Sequence, residues 1–331
     1  MYEVDNYLFE TPSVEKIPNK YDDRIIEMND FYKKIAEAEL RENDNVRIQS
    51  LQQMREWIAK HPYIKKCRTD AQFLLRFLRS RKYSISSATE TLERHLASRV
   101  LQPLWFCRLD IEDSDIGALF ETGYLFPMLE RDSKGRTLII NDTAQLDPTS
   151  FTAAHIIRLH LLIYEALFNI PEVQCAGLVL VYDLSGLTLA QLSLVTLKEI
   201  KLLAQYLSKG IGARLQELHF VNTPGPALTI ANFSLQMLSE KMRERVFCHR
   251  NWDALYSKVD KNLLPMEFGG KIPKADCISA CKLHLQKIRN RLLNDDNMDI
   301  EITKESQCWQ ETNVAEFEGG VIGSFRQLNV D

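Results

Sequence analysis

The hydrophobic period of this chain changes once, near residue 123, and that change dictates what it can fold into. Before it, apolar residues recur every three or four positions. Residues 30–40 place Phe31, Ile35 and Ala38 on one stripe, and residues 46–59 do the same with Val46, Leu51, Met54, Trp57 and Ile58 before Pro62. Residues 69–78 open on Thr69-Asp70, a cap-type pair, and run into Phe73, Leu74, Phe77 and Leu78. Residues 84–100 begin at Ser84 with the stripe Ala88, Leu92 and Leu96. The spacing therefore predicts a helical N-terminal module, with no internal repeat.

After Gly123 short apolar runs alternate with helical ones. Residues 124–130 and 137–141 flank Asp132-Ser133-Lys134-Gly135, which has turn chemistry, so a hairpin is expected there. A helix over 152–169, a strand over 177–182, a long helix over 189–208 and a strand over 217–221 follow. Strands alternating with helices of that length indicate parallel β-α-β units, hence an α/β domain. At 331 residues the chain has room for about two domains. Residues from about 295 onward are acidic, lack periodicity, and read as a loosely held tail.

Charge is unevenly spread. Residues 1–30 carry −5 and residues 295–331 carry −7; the whole chain carries −4, which leaves the stretch between them at +8. A basic body between acidic ends suits an anionic partner, although lysines and arginines that merely solvate helices give the same count. The seven cysteines are odd in number and scattered, unlike a disulfide framework. The residues at the two ends lead us to expect no signal peptide and no lipidation, and no apolar run nears 18 residues. The expectation is a cytoplasmic protein of a reducing compartment, without a transmembrane segment.

Several chemistries lack their motifs. No phosphate-binding G-x-x-x-x-G-K-[ST] loop, no G-x-G-x-x-G after a strand and no G-x-S-x-G elbow occur, so the chain reads as no enzyme, with no catalytic residues. Cys277, Cys281 and His284 share a helical spacing better read as a buried face than as a metal site, and no metal is expected. His155 and His160 fall on different helical faces. Basic stretches are not interleaved with aromatics, so no nucleic acid is expected.

Residues 223–247 are the unusual stretch. Thr223-Pro224-Gly225-Pro226 sets a helix start, and residues 227–238 are apolar on nearly every face, with Phe233, Leu235, Met237 and Leu238 among them. Such a helix is either buried on both sides or a mobile gate over an apolar cavity. Residues 239–245 then turn sharply charged. Lys241 and Arg245 share one face at i, i+4, a repulsive spacing that the Glu244 carboxylate or a phosphate group would relieve.

The sequence resembles the CRAL-TRIO lipid-transfer family, in the branch of α-tocopherol transfer protein and cellular retinaldehyde-binding protein. The stretches that carry the resemblance are 73–81 (FLLRFLRSR), 146–151 (LDPTSF), 182–186 (YDLSG), 219–222 (HFVN), Phe233-Ser234 with 239–245 (SEKMRER), and 264–270 (LPMEFGG). They lie in order across residues 46–275.

The resemblance implies a helical domain (31–100) and an α/β lipid-binding domain with a mobile helical gate (101–294); the acidic extension (1–30) and the acidic tail (295–331) lie outside the clear match. It implies a lipid pocket lined by Ile157, His160, Tyr164, Leu178, Tyr182, Leu203, Tyr206, Leu207 and Ile211. Spacing agrees: Ile157, His160 and Tyr164 follow i, i+3, i+7, Leu178 and Tyr182 share one side of a strand, and Leu203, Tyr206 and Leu207 follow helical spacing. Polar tips buried together need partners or a ligand. The resemblance also implies a phosphoinositide site at Arg81, Arg214, Lys241 and Arg245. In the tocopherol protein the positions of His160 and Tyr164 hold small hydroxyl residues, so a retinoid, a carotenoid-derived compound or another slender isoprenoid fits the family pattern as well as tocopherol. The implied protein is a cytoplasmic carrier with transient peripheral membrane association; its partners are one small hydrophobic lipid and phosphoinositide headgroups, and it needs no cofactor beyond that lipid. The alternative is a phosphoinositide-dependent adaptor with a vestigial pocket. A stoichiometric lipid in solvent extracts separates the two.

Overall fold

The computed structural model describes residues 9–224 and 240–304. In the helical module, α1 (Asp30–Ile35) runs into a π-helical turn (Ala36–Leu40) and is followed by α2 (Asp44–Lys60), the short strand β1 (Ile64–Lys66), α3 (Ala71–Ser80) and α4 (Ile85–Leu101). The side chains of Asn43 and Asp70 cap α2 and α3, accepting from Val46 N at 2.9 Å and Phe73 N at 3.1 Å. Ser84 precedes α4 as expected, but its hydroxyl meets Ser87 Oγ at 3.1 Å instead of capping. The apolar stripes of the three helices close one core, with Met54, Ile58, Phe77, Leu78, Leu92 and Leu96 buried in it.

The α/β domain opens with α5 (Pro103–Phe106) and α6 (Ser114–Glu121), followed by the hairpin β2 (Leu125–Arg131) and β3 (Thr137–Asp142). At its turn Asp132 Oδ1 accepts from Lys134 N at 2.9 Å and Arg136 N at 2.8 Å. Gly135 supplies the left-handed φ of +76°. Then come α7 (Ala153–Leu167), α8 (Pro171–Ala176), β4 (Leu178–Asp183), α9 (Leu189–Leu194), α10 (Leu197–Gln205), β5 (Leu215–Val221) and β6 (Val246–His249). The strands line up 2-3-4-5-6, antiparallel only between β2 and β3. Side chains alternate across the sheet: Leu178 and Leu180 face the core under α7, while Val179 and Val181 face a second core closed by Leu255, Leu264 and Phe268.

Two expectations change. The long helix over 189–208 is broken. Thr196 starts a new helix with a capping box, its Oγ1 accepting from Glu199 N at 3.3 Å while the Glu199 carboxylate accepts from Thr196 N at 2.8 Å. A π-helical turn (Tyr206–Gly210) then ends it. The acidic stretch from 295 is also not loose where it begins. Asp295 pairs with Arg68 at 3.2 Å and Asp296 with Arg99 at 2.9 Å. Beyond them, β7 (Asp299–Ile300) pairs antiparallel with β1. The reason is the burial of Arg68, which is 0% exposed and needs counter-charge. The extension before α1 is tied down as well: Val14 O and Asp22 O accept from Cys67 N and Ala71 N at 2.8 and 2.9 Å.

Candidate functional site

The wall under α7 is built from two periodicities that meet. Thr152 caps α7, accepting from His155 N at 3.4 Å, and from there Ile157, His160 and Tyr164 fall on one helix face. Opposite them, even-numbered Leu178, Leu180 and Tyr182 of β4 point the same way. Ile157, Tyr164, Leu178, Tyr206 and Ile211 are buried in one apolar cluster, with Tyr182, Leu203 and Leu207 packed against it half-buried. These apolar and aromatic side chains thus pack around a single core.

Within that wall the polar tips concentrate at one end. The His160 ring lies parallel to Tyr182, centroids 6.1 Å apart at 6°, and Tyr124 meets it edge-on at 5.8 Å. The hydroxyls of Tyr164 and Tyr182 are 3.5 Å apart. Phe220 of β5 closes on Tyr182 at 5.6 Å. Burial disfavours charge throughout this group: it pushes the Tyr164 phenol up to about 12 and the His160 imidazole down to about 4, against a hydrogen bond to Ile156 O that raises it. The end is polar yet neutral. Tyr124 and Phe220 were not legible as members, because only β2 and β5 lying across the sheet bring them there.

Tyr206 lies in the same apolar cluster, but its hydroxyl has other partners than those of Tyr164 and Tyr182. Its hydroxyl lies 3.1 Å from His95 Nδ1 and 3.4 Å from Glu165 Oε1. Glu165 is gripped by Arg76 at 2.5 and 2.9 Å, and Arg76 Nε also donates to Ile211 O at 3.0 Å. Burial alone would raise the Glu165 carboxyl, but the Arg76 guanidinium overrides it and holds the group at about 2. This node joins α3 and α4 of the helical module to α7 and the π-helical turn. A carboxylate among the apolar residues of α7 was its signal in the sequence.

The basic positions are partly brought together. Arg214 donates to Cys175 O and pairs with Glu39 at 2.5 Å, and Arg245 donates to Leu215 O. Burial lowers the Arg245 pKa, and the charge of nearby Arg214 adds to that. Arg81 ends α3, donating to Thr91 Oγ1 at 2.7 Å and to Ser208 O at 3.1 Å. No bond among the described residues links it to Arg214. The backbone of Lys241 is helical, but its side chain lies outside what the structure describes, as do the gate residues Phe233, Leu235, Met237 and Leu238. No helix among the described residues is long and apolar enough to cross a membrane.

The chain is similar to known proteins over most of its length. Residues 121–270 match the model of the CRAL/TRIO domain, and residues 43–116 match that of a Pinta-like UBA domain. Clavesin-2 of Homo sapiens is 32% identical over 242 residues, spanning 73% of this chain and 74% of that protein. Clavesin-1 of Rattus norvegicus is 33% identical over 73% of this chain and 68% of its own length. The crystal structure of Sfh5 covers 80% of this chain and 99% of its own at 12% identity and a TM-score of 0.45, a likeness too loose to argue from.

Proposed function

This chain belongs to the CRAL/TRIO family of lipid-binding and transfer proteins, and we propose that it is an intracellular carrier that encloses one hydrophobic lipid and exchanges it at phosphoinositide-containing membranes. The observation that carries the reading is the gathering of His160, Tyr164 and Tyr182 at one end of an otherwise apolar wall. A slender lipid with one polar end, such as a retinoid, tocopherol or a related isoprenoid, matches that distribution. Its chain would lie along Ile157, Leu178, Leu203, Leu207 and Ile211. Phe233, Leu235, Met237 and Leu238 would form the gate through which it passes.

Membrane recognition falls to Arg81, Arg214, Lys241 and Arg245. Each guanidinium has five N–H donors, so the bonds to backbone carbonyls, with those of Arg81 to Thr91 and of Arg214 to Glu39, leave others for phosphate oxygens. The protein would work in the cytoplasm and touch membranes transiently. Solvent extraction of the purified protein followed by mass spectrometry is the test. One apolar lipid per chain is expected; extracts with no stoichiometric lipid would leave a phosphoinositide-dependent adaptor as the function.

A further inference from the structure

His160 is fixed in one protonation form by its own helix. Its Nδ1 lies 2.9 Å from the backbone carbonyl oxygen of Ile156, four residues back. A carbonyl only accepts, so Nδ1 carries the proton and donates. In a neutral imidazole the other nitrogen then has no hydrogen and can only accept. Charging the ring would require a second proton in surroundings that hold its pKa to about 4. The faces and flanks of the ring are taken by Tyr182, Tyr124 and Tyr164, at centroid distances of 6.1, 5.8 and 6.0 Å. Nε2 has no hydrogen-bond partner among the described residues, while the ring is only half-buried.

Resting on the carrier reading, we infer that His160 Nε2 selects a lipid whose polar end is a hydroxyl, because that end must donate a hydrogen bond to a bare acceptor. An alcohol or phenol does so, and its oxygen can still accept from the Tyr164 or Tyr182 hydroxyl. An aldehyde, a ketone or a methyl ether offers only acceptors. It can satisfy a tyrosine, but it sets its lone pairs against Nε2 and strips water from that nitrogen without replacing it. Sites built to pair with a hydroxyl discriminate strongly against analogues that lack its hydrogen.

Matched probes test this: all-trans-retinol against all-trans-retinal, and α-tocopherol against its methyl ether, each titrated by tryptophan fluorescence quenching. The alcohol of at least one pair should bind about tenfold more tightly than its partner, the effect of one hydrogen bond lost at a desolvated site. His160→Phe keeps a ring but removes the acceptor and should bring that pair within about twofold. His160→Gln, whose amide can also donate, should narrow the gap by improving the aldehyde or ether. Nitrogen-15 NMR of imidazole-labelled parent protein gives a readout without ligand or mutation: the His160 proton should reside on Nδ1. A proton on Nε2, or equal affinities within every pair that binds, overturns the hydroxyl preference and leaves a carrier standing. If no probe binds and solvent extracts hold no lipid, the carrier reading falls and this inference with it.

Discussion

Glu165 and Arg76 meet through both carboxylate oxygens, at 2.5 and 2.9 Å, and neither side chain is more than 3% exposed. Removing one partner leaves the other charge buried without compensation. Glu165→Gln should therefore cost about 3–5 kcal/mol in guanidinium denaturation, whereas replacing both residues with Leu and Met should recover much of it. The histidines give a second test at this scale. Burial holds His160, His219 and His284 at about 4, and it also pushes His95 well below the 6.5 of an exposed imidazole. Between those values the unfolded chain binds more protons than the folded one. Stability from these groups is complete above about pH 6.5 and is lost as pH falls toward 4. Urea midpoints at pH 7.5 and pH 5 should differ in that order. Arg76 was visible in the 73–81 stretch, but its partner 89 residues away was not, since a residue pattern does not say which distant charge a buried one will meet.

At the scale of elements, α7, β4 and α10 form the wall, and β4 and α10 tolerate enlargement differently. Leu178 is 3% exposed inside the core, while Leu203 sits half-buried at its margin on α10. Leu203→Trp should weaken uptake of a retinoid or tocopherol probe with a loss of stability below about 1 kcal/mol. Leu178→Trp should weaken uptake too, but with an overpacking cost of about 1–3 kcal/mol in the same denaturation assay. Unchanged uptake in both would move the ligand to another part of the domain. The existence and type of α2, α3, α4, α7 and the hairpin followed from period and caps. The break before α10 did not, although Thr196 and Glu199 spell a capping box. An unbroken apolar stripe across 189–208 outweighs a three-residue signal when only periodicity is weighed.

For the whole molecule, the basic body between acidic ends acquires a division of labour. Part of the acidic C-terminal stretch neutralises buried arginines, as Asp295 and Asp296 do for Arg68 and Arg99. The remaining cations are what an anionic surface would meet. Lys241→Ala with Arg245→Ala should weaken binding to phosphoinositide vesicles by roughly 30-fold, at about 1 kcal/mol per cation. The loss should shrink at high salt, and retinol or tocopherol affinity in membrane-free solution should stay within about twofold. Parent-like vesicle binding would reduce the patch to a solvated face. Sedimentation with and without phosphoinositide reads the difference.

Local chemistry was enough to determine a helical module ahead of an α/β domain, because caps, turn residues and hydrophobic period act over a few residues and are written in order along the chain. The same locality put Ile157, His160 and Tyr164 on one face of α7. Which polar tips share a space was decided only in three dimensions. Tyr206 lies one turn beyond Leu202 on the same helical run, yet the Arg76–Glu165 pair draws its hydroxyl away toward His95. Tyr124 reaches His160 only because β2 lies beside β3 and so within reach of α7. Buried polar groups must find partners wherever the fold offers them, and those partners are set by strand order and packing between residues as distant as His95 and Tyr206, 111 positions apart.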